Sequence, residues 1–256
     1  MTPIHYIIAV FLGPRSNKHL TSCLNNDPLY LIKMHIKSFT LLKLDHIKRV
    51  TFVISPSGNE ERDNFALDFI ESQKSLFSNF ELNGFISEAN HFWSYGSWNS
   101  CMVKNIHRNE NFFLTEDDYF PACDYFYAPF SEKIYDDISY VSQIYGRNEN
   151  NINEKNRLKD HASMSGGMMN IKAAKVHYET YGNCINLPDE ALKMKSSGAF
   201  VQLHFLDNFE KLGYNIADLY EEYQHPYSSA KNDVKSYGNM EGEILLRPYI
   251  NSLDLV

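Results

Sequence analysis

The sequence predicts an α/β fold, a three-layer α/β/α sandwich around a mostly parallel central sheet. Three observations carry this expectation. Ile4 to Leu12 is a continuous apolar run stopped by Gly13-Pro14, as a strand buried on both faces would be. Strand-like and helix-like segments then alternate through the first half, the pattern of βαβ units. A further apolar segment, Asn111 to Thr115, runs straight into three carboxylates, Glu116, Asp117 and Asp118. That places charge beyond a strand end, where open α/β sheets bind their ligands.

In chain order, Asp27-Pro28 opens the first helix, with Asp27 suited to the N-cap and Pro28 to the first helical position. Leu29, Ile32, Ile36, Phe39 and Leu42 or Lys43 follow at helical spacing. Arg49 to Ile54 reads as the second strand, ended by Ser55-Pro56-Ser57-Gly58. A second helix covers Glu60 to Leu76, with Phe65, Phe69 and Leu76 among its apolar positions. Phe80 to Ile86 is a third strand, followed by Ser87-Glu-Ala-Asn90. Tyr95-Gly96-Ser97 then leads into a helix from Trp98 to His107, and Asn111 to Thr115 is the fourth strand.

The second half is less regular. Arg147 to Lys159 is Asn-rich, without apolar periodicity, and reads as a mobile loop suited to closing over a ligand. Ser163 to Ile171 reads as a glycine-hinged strand feeding a helix from Lys172 to Tyr181. A last helix spans Gly198 to Leu212, capped by Gly213, and Tyr214 to Ile216 returns to the sheet. No internal repeat or linker divides the 256 residues. The expectation is therefore one domain, with a nucleotide half over 1–130 and an acceptor half over 131–256.

Composition narrows the function classes. The net charge of −8 argues against a nucleic-acid partner, since such proteins present basic surface. No apolar stretch approaches the ~20 residues needed to span a bilayer. The first residues lack the basic n-region and cleavage site of a signal peptide. Cys23, Cys101, Cys123 and Cys184 are too scattered for a thiolate zinc site. Reduced thiols in a soluble, cytoplasmic protein are the expectation.

The chemistry concentrates at Glu116-Asp117-Asp118. Adjacent carboxylates repel, and a cation relieves that repulsion. Mg²⁺ and Mn²⁺ favour oxygen ligands and commonly bridge a protein carboxylate to substrate phosphates. A solvated acidic turn is the alternative for such a triplet. Its place on a strand end, after Ser94-Tyr-Gly-Ser-Trp-Asn99, favours the site.

The strand with its acidic triplet, Ser94 to Asn99 and the opening βαβ pattern together resemble the glycosyltransferase A fold family. In that family a DxD-type motif at a strand end binds a divalent cation and the diphosphate of a nucleotide sugar. Ser165-Gly-Gly-Met-Met-Asn-Ile171 is similar to the family's glycine-containing strand before the acceptor helix. Phe205 to Ile216 looks like its late helix and "G-Y-x-I" return, and His225 falls where many members carry a metal-binding histidine.

The resemblance implies Asp118 and His225 as ligands of a Mn²⁺ or Mg²⁺ ion. Glu116 and Asp117 would lie near the ribose and diphosphate, and Asn90, Tyr95, Gly96, Ser97 and Asn99 would line the diphosphate and sugar, where a helix N-terminus offers N–H groups. Trp98 has a second reading as plain core. Phe11, Gly13 and Ser55, at strand ends, would cradle base and ribose. Gly166, Gly167, Asp189 and Glu190 would face the acceptor.

One departure stands out. Inverting members place an acidic pair about a dozen residues before the "G-Y" return, where this chain has Val201-Gln202. Asp160, His161 and Asp207, together with Asp189-Glu190 after Pro188, are the nearby candidates for a general base, so inverting and retaining chemistry both stay open. The implied activity is metal-dependent transfer of a sugar from a nucleotide-diphosphate donor to a carbohydrate hydroxyl. The alternatives are a sugar nucleotidyltransferase and a non-catalytic carbohydrate-binding protein on the same fold. The single glycine of Phe11-Leu-Gly-Pro-Arg15 weakens the first of these.

Overall fold

The computed structural model describes residues 1–13, 24–88, 92–121, 123–142, 145–146, 161–162, 166–189, 193, 204–219 and 246–248. The expected Arg147–Lys159 loop, Asn90, Asp160, Glu190 and His225 lie outside them.

Seven strands form the central sheet: β1 (Ile4–Phe11), β2 (Ile47–Ser55), β3 (Glu81–Ile86), β4 (Asn111–Glu116), β6 (Ile138–Ser142), β9 (Gly167–Met169) and β10 (Asn215–Asp218). Their order is β10-β6-β9-β4-β1-β2-β3. All pairs are parallel except those of β9, which runs antiparallel between β4 and β6. Two small ribbons accompany it: β5 (Tyr119–Pro121) with β11 (Leu246–Pro248), and β7 (Tyr145–Gly146) with β8 (His161–Ala162).

Six helices are described in full: α1 (Tyr30–Leu41), α2 (Glu60–Ser72), α3 (Trp93–Asn105), α4 (Ala128–Lys133), α5 (Ile171–Tyr181) and α6 (Asp207–Lys211). Strand β1 explains the layering. Tyr6, Ile8 and Val10 pack with α1, α2 and α4 on one face, while Ile7 and Ala9 pack with α3, α5 and α6 on the other. Alternate residues of one apolar run thus face two cores, as expected of a central parallel strand. The expected three-layer, mostly parallel sandwich is the fold observed. Among the described residues no helix is long and apolar enough to cross a membrane, and Cys101 and Cys184 are buried free thiols.

Several expectations need correction. Helix α1 starts at Tyr30 with Leu29 at its N-cap, so Asp27-Pro28 forms the preceding turn. Asp27 accepts the Leu29 amide at 3.0 Å and pairs with Lys33 at 2.7 Å. Helix α2 stops at Ser72, and a short 3₁₀ turn covers Lys74–Leu76. It buries Ala66 and Ile70, with Phe69 packed partly against the same core as expected, while Phe65 is 54% exposed and Leu76, on the 3₁₀ turn, is 57% exposed. Helix α3 begins five residues before Trp98, which takes Tyr95, Gly96 and Ser97 into its first turns. The late helix is expected over 198–212; its residues 198–203 lie outside the described ones, and its described end is the short α6, closed by Gly213 at φ 84° as expected.

Candidate functional site

The site grows from the carboxyl end of β4. Glu116 is its last residue and pairs with Ala9 of β1. The Asp117 amide then donates to the Ala9 carbonyl at 3.0 Å, carrying the ladder one residue into the turn. The Asp117 side chain points inward and is 2% exposed, its Oδ2 accepting the Phe11 amide at 3.0 Å. From below, the wholly buried His35 donates Nε2–H to the Asp117 carbonyl at 3.1 Å. Burial pushes the His35 imidazole down to about 3, so it is neutral at physiological pH. Its ring is held between Phe120, 4.5 Å away, and Phe39 at 5.8 Å.

The three carboxylates therefore have different tasks. Asp117 is a structural clamp on the strand ends. Glu116 is half-buried and its Oε1 accepts the Ser94 hydroxyl at 2.7 Å, tying the turn to the start of α3. Asp118, also half-buried, is the next residue of the turn. Directly after it, β5 pairs with β11, Tyr119 opposite Pro248, so a C-terminal segment lies beside the acidic turn.

The start of α3 is unusual. Trp93 has φ 56°, a left-handed conformation that costs a bulky residue about 1–3 kcal/mol, and is 61% exposed. Trp98 is the core alternative: it is 1% exposed and donates Nε1–H to the Thr115 carbonyl at 2.9 Å. Tyr95 is equally buried, packed on Trp98 and Phe205 with ring centroids 5.0 Å away in each case. Ser97 is fully buried, its hydroxyl 2.7 Å from that of Ser55 at the end of β2. Asn99 spends both ends of its amide on the chain after α5: its Nδ2 donates to Asn183 Oδ1 at 2.9 Å, and its Oδ1 accepts the Cys184 amide at 2.8 Å. The start of α3 thus reaches Glu116 through Ser94, whereas Tyr95, Ser97 and Asn99 serve the core around it.

At the end of β1, the Phe11 ring is folded over Gly13, where a Cβ would come within 2.9 Å of ring carbon Cε1. Phe11 remains 37% exposed. The Arg62 guanidinium donates to the Leu12 carbonyl at 2.8 Å and fixes this exit.

In the second half, Gly166 and Gly167 sit at the ends of β4 and β6, Gly167 opposite both Leu114 and Ser142. Gly166 has φ 142°, and a Cβ on Gly167 would lie 2.6 Å from the Val141 carbonyl oxygen and collide with the Tyr140 ring. Both glycines thus have backbone reasons beside any acceptor role. Asp189 is exposed. His161 pairs through its backbone with Gly146. The Asp207 carboxylate lies 2.7 Å from His204 Nδ1, so it is one half of a pair. Next to His204, the Phe205 ring touches Tyr95 and Tyr140.

The sequence marked Ser94 only as the start of the Ser94–Asn99 motif, without a role, and did not single out Trp93, His35 or His204. The first three sit on helix faces near the acidic turn, which only the strand order brings together. His204 and Asp207 do lie three residues apart, a legible spacing for a helical pair.

Among the described residues no three His, Cys, Asp or Glu side chains gather into a group that could hold a metal ion. The donor set at the turn nevertheless suits a hard cation shared with a ligand. Such ions bind through one or two carboxylates plus phosphates, without a full protein cage.

No family model matches the chain, and no curated protein matches it in sequence. Solved structures match in fold. The mannosyltransferase PcManGT from Pyrobaculum calidifontis, in complex with GDP-Man and Mn²⁺, aligns with a TM-score of 0.52 at 10% identity, over 88% of this chain and 55% of that one. The apo form of the glycosyltransferase GlyE from Streptococcus pneumoniae aligns with a TM-score of 0.51 at 11% identity, over 97% of this chain and 54% of that one. The chain spans just over half the length of each. At such identities the likeness is one of architecture: the seven-stranded, mostly parallel sheet with its flanking helices is the fold seen in these nucleotide-sugar transferase structures.

Proposed function

We propose that this protein moves a glycosyl group from a nucleotide-diphosphate sugar to a hydroxyl of a carbohydrate acceptor, with Mn²⁺ or Mg²⁺ on the diphosphate. The observation that supports this most is the acidic turn itself. Glu116 and Asp118 stand at the end of β4, next to the end of β1 and one strand away from that of β2, with Asp117 bolted underneath. That is where a parallel sheet offers a crevice to a ligand. The PcManGT structure, similar in fold, holds GDP-Man and Mn²⁺, a nucleotide sugar with a divalent cation, which is the class of ligands this reading assigns here.

Asp118 is the protein's carboxylate ligand in this reading, and His225 its second ligand. When bound, the cation offsets the negative charge that gathers on the departing diphosphate. Glu116, oriented by Ser94, accepts from donor hydroxyls. Phe11 and Ser55 border the base and ribose. Transfer breaks the bond between the anomeric carbon and the diphosphate oxygen, forms the bond to the acceptor oxygen, and releases the acceptor's proton. At Asp207 the proton-accepting unit is the pair with His204 rather than a lone carboxylate, the aspartate holding the imidazole in one orientation.

A thermal-shift panel of ADP, CDP, GDP and UDP, each with and without Mn²⁺, tests the reading. Ligands that bind the native state alone raise its melting point by mass action. One nucleotide that stabilises the protein only when Mn²⁺ is present supports it. No shift from any of the four contradicts it.

A further inference from the structure

We propose that Trp93 is a stacking platform for the acceptor sugar ring, an assignment that rests on the glycosyl-transfer reading above. The chain has two tryptophans, both on α3. Trp98 serves the core. Trp93 does the reverse: the residue is 61% exposed, on a backbone at φ 56° that glycine or asparagine adopts far more readily. A ring this exposed does little for the core, yet the chain accepts a strained backbone to present it. Backbone strain of this kind clusters at ligand-binding positions.

Position supplies the second argument. Trp93 is followed directly by Ser94, whose hydroxyl holds Glu116, so its Cα lies about 3.8 Å from that of a residue touching the acidic turn. The Trp93 backbone therefore stands beside the acidic turn, and in this proposal its exposed indole forms the rim of the site. The start of α3 is also bonded to β4 at two points, Ser94 to Glu116 and Trp98 to the Thr115 carbonyl, and β4 pairs with β9 of the second half. Phe11, by contrast, closes β1, one strand nearer β2, on the side assigned to base and ribose. An indole offers a flat apolar face with a polar edge. The C–H-bearing face of a pyranose is complementary to it through weak C–H···π contacts, while the sugar's hydroxyls remain free for polar partners. The occupant is thus a sugar ring on the acceptor side.

Intrinsic fluorescence reads this directly, because Trp93 is exposed and Trp98 is buried. The probes are the methyl glycosides of glucose, galactose, mannose and N-acetylglucosamine, titrated in the presence of Mn²⁺ and the nucleotide found by the thermal-shift panel. At least one glycoside should protect the acrylamide-accessible emission saturably, and Trp93→Ala should abolish that protection. Trp93→Ala should raise the acceptor KM by about tenfold or more, the loss of one stacking contact, with the Mn²⁺-dependent nucleotide shift unchanged. Trp93→Phe should restore most of the acceptor affinity. Trp93→Gly, which relieves the left-handed backbone, should raise the melting temperature while losing sugar protection.

Emission equally accessible with and without every glycoside, in a protein that still shows the Mn²⁺-dependent nucleotide shift, overturns the assignment and leaves the transferase reading standing. A fall in melting temperature on Trp93→Gly also overturns it, since the ring would then be serving the fold. Absence of the nucleotide shift itself overturns both.

Discussion

The buried Asp117 carboxylate takes the backbone amide of the partly exposed Phe11, 106 residues away, at 3.0 Å. It closes β1 against the turn after β4. The middle residue of an acidic triplet is thus a clamp, and the residues on either side of it face the crevice end of the sheet. His35 completes the clamp by holding the Asp117 carbonyl.

Removing the clamp should cost stability. A hydrogen bond to a buried charged acceptor contributes about 1.5–3 kcal/mol, so Asp117→Ala is expected to lower the unfolding free energy by roughly that amount. Asp117→Asn keeps an acceptor oxygen for Phe11 and should lose about half as much. Urea denaturation of both variants checks this. Equal stability of Asp117→Ala and the parent would contradict the clamp.

The buried histidines give the fold an acid limit. Burial holds His5 well below its ordinary value, helped by the charges of Arg49 and Arg108, and pushes His35 down to about 3; burial also lowers His177. In each case the folded state binds fewer protons than the unfolded chain below the ordinary value near 6.5. Stability is then complete above pH 6.5 and falls as the pH drops through it, by about 2 kcal/mol at pH 5 for a fully suppressed imidazole. The urea midpoint should move clearly lower between pH 7.5 and 5, and His35→Gln should flatten that slope. A midpoint independent of pH over this range would refute the assignment.

Gly167 should tolerate no side chain. With the Val141 carbonyl 2.6 Å from the position of a Cβ and the Tyr140 ring over it, Gly167→Ala is an overpacking change costing about 1–3 kcal/mol. The double variant with Tyr140→Phe should recover part of the loss, because it removes the hydroxyl that crowds the site. Thermal unfolding of the two proteins decides it. A Gly167→Ala protein as stable as the parent would contradict this packing account.

How much of this could be read in advance depends on the range of the interactions. The Ile4–Leu12 run announces a strand buried on both faces, and Tyr6 and Ile7 duly face opposite cores. Gly213 marks the end of the late helix because a left-handed residue there suits glycine. The start of α3 was placed too late because Ser94 makes its bond to Glu116, 22 residues on. Helix α2 misled through Phe65, a large apolar residue that faces solvent while the small Ala66 packs against the sheet. Strand β5 has three residues, too few for any alternation to show. Within the site, the acidic triplet was legible as a whole, but its division of labour was not. Which carboxylate turns inward depends on the Phe11 amide and His35, both remote in sequence.

The central claim is that Asp118 carries a cation that joins the protein to a nucleotide diphosphate. Its most direct test is the melting temperature of the parent and of Asp118→Asn, each with the nucleotide diphosphate of the panel and a titration of Mn²⁺. The parent should show a saturable rise that needs both components, and Asp118→Asn should melt normally alone yet show no such rise. An Asp118→Asn protein that retains the full Mn²⁺-dependent rise would contradict the account.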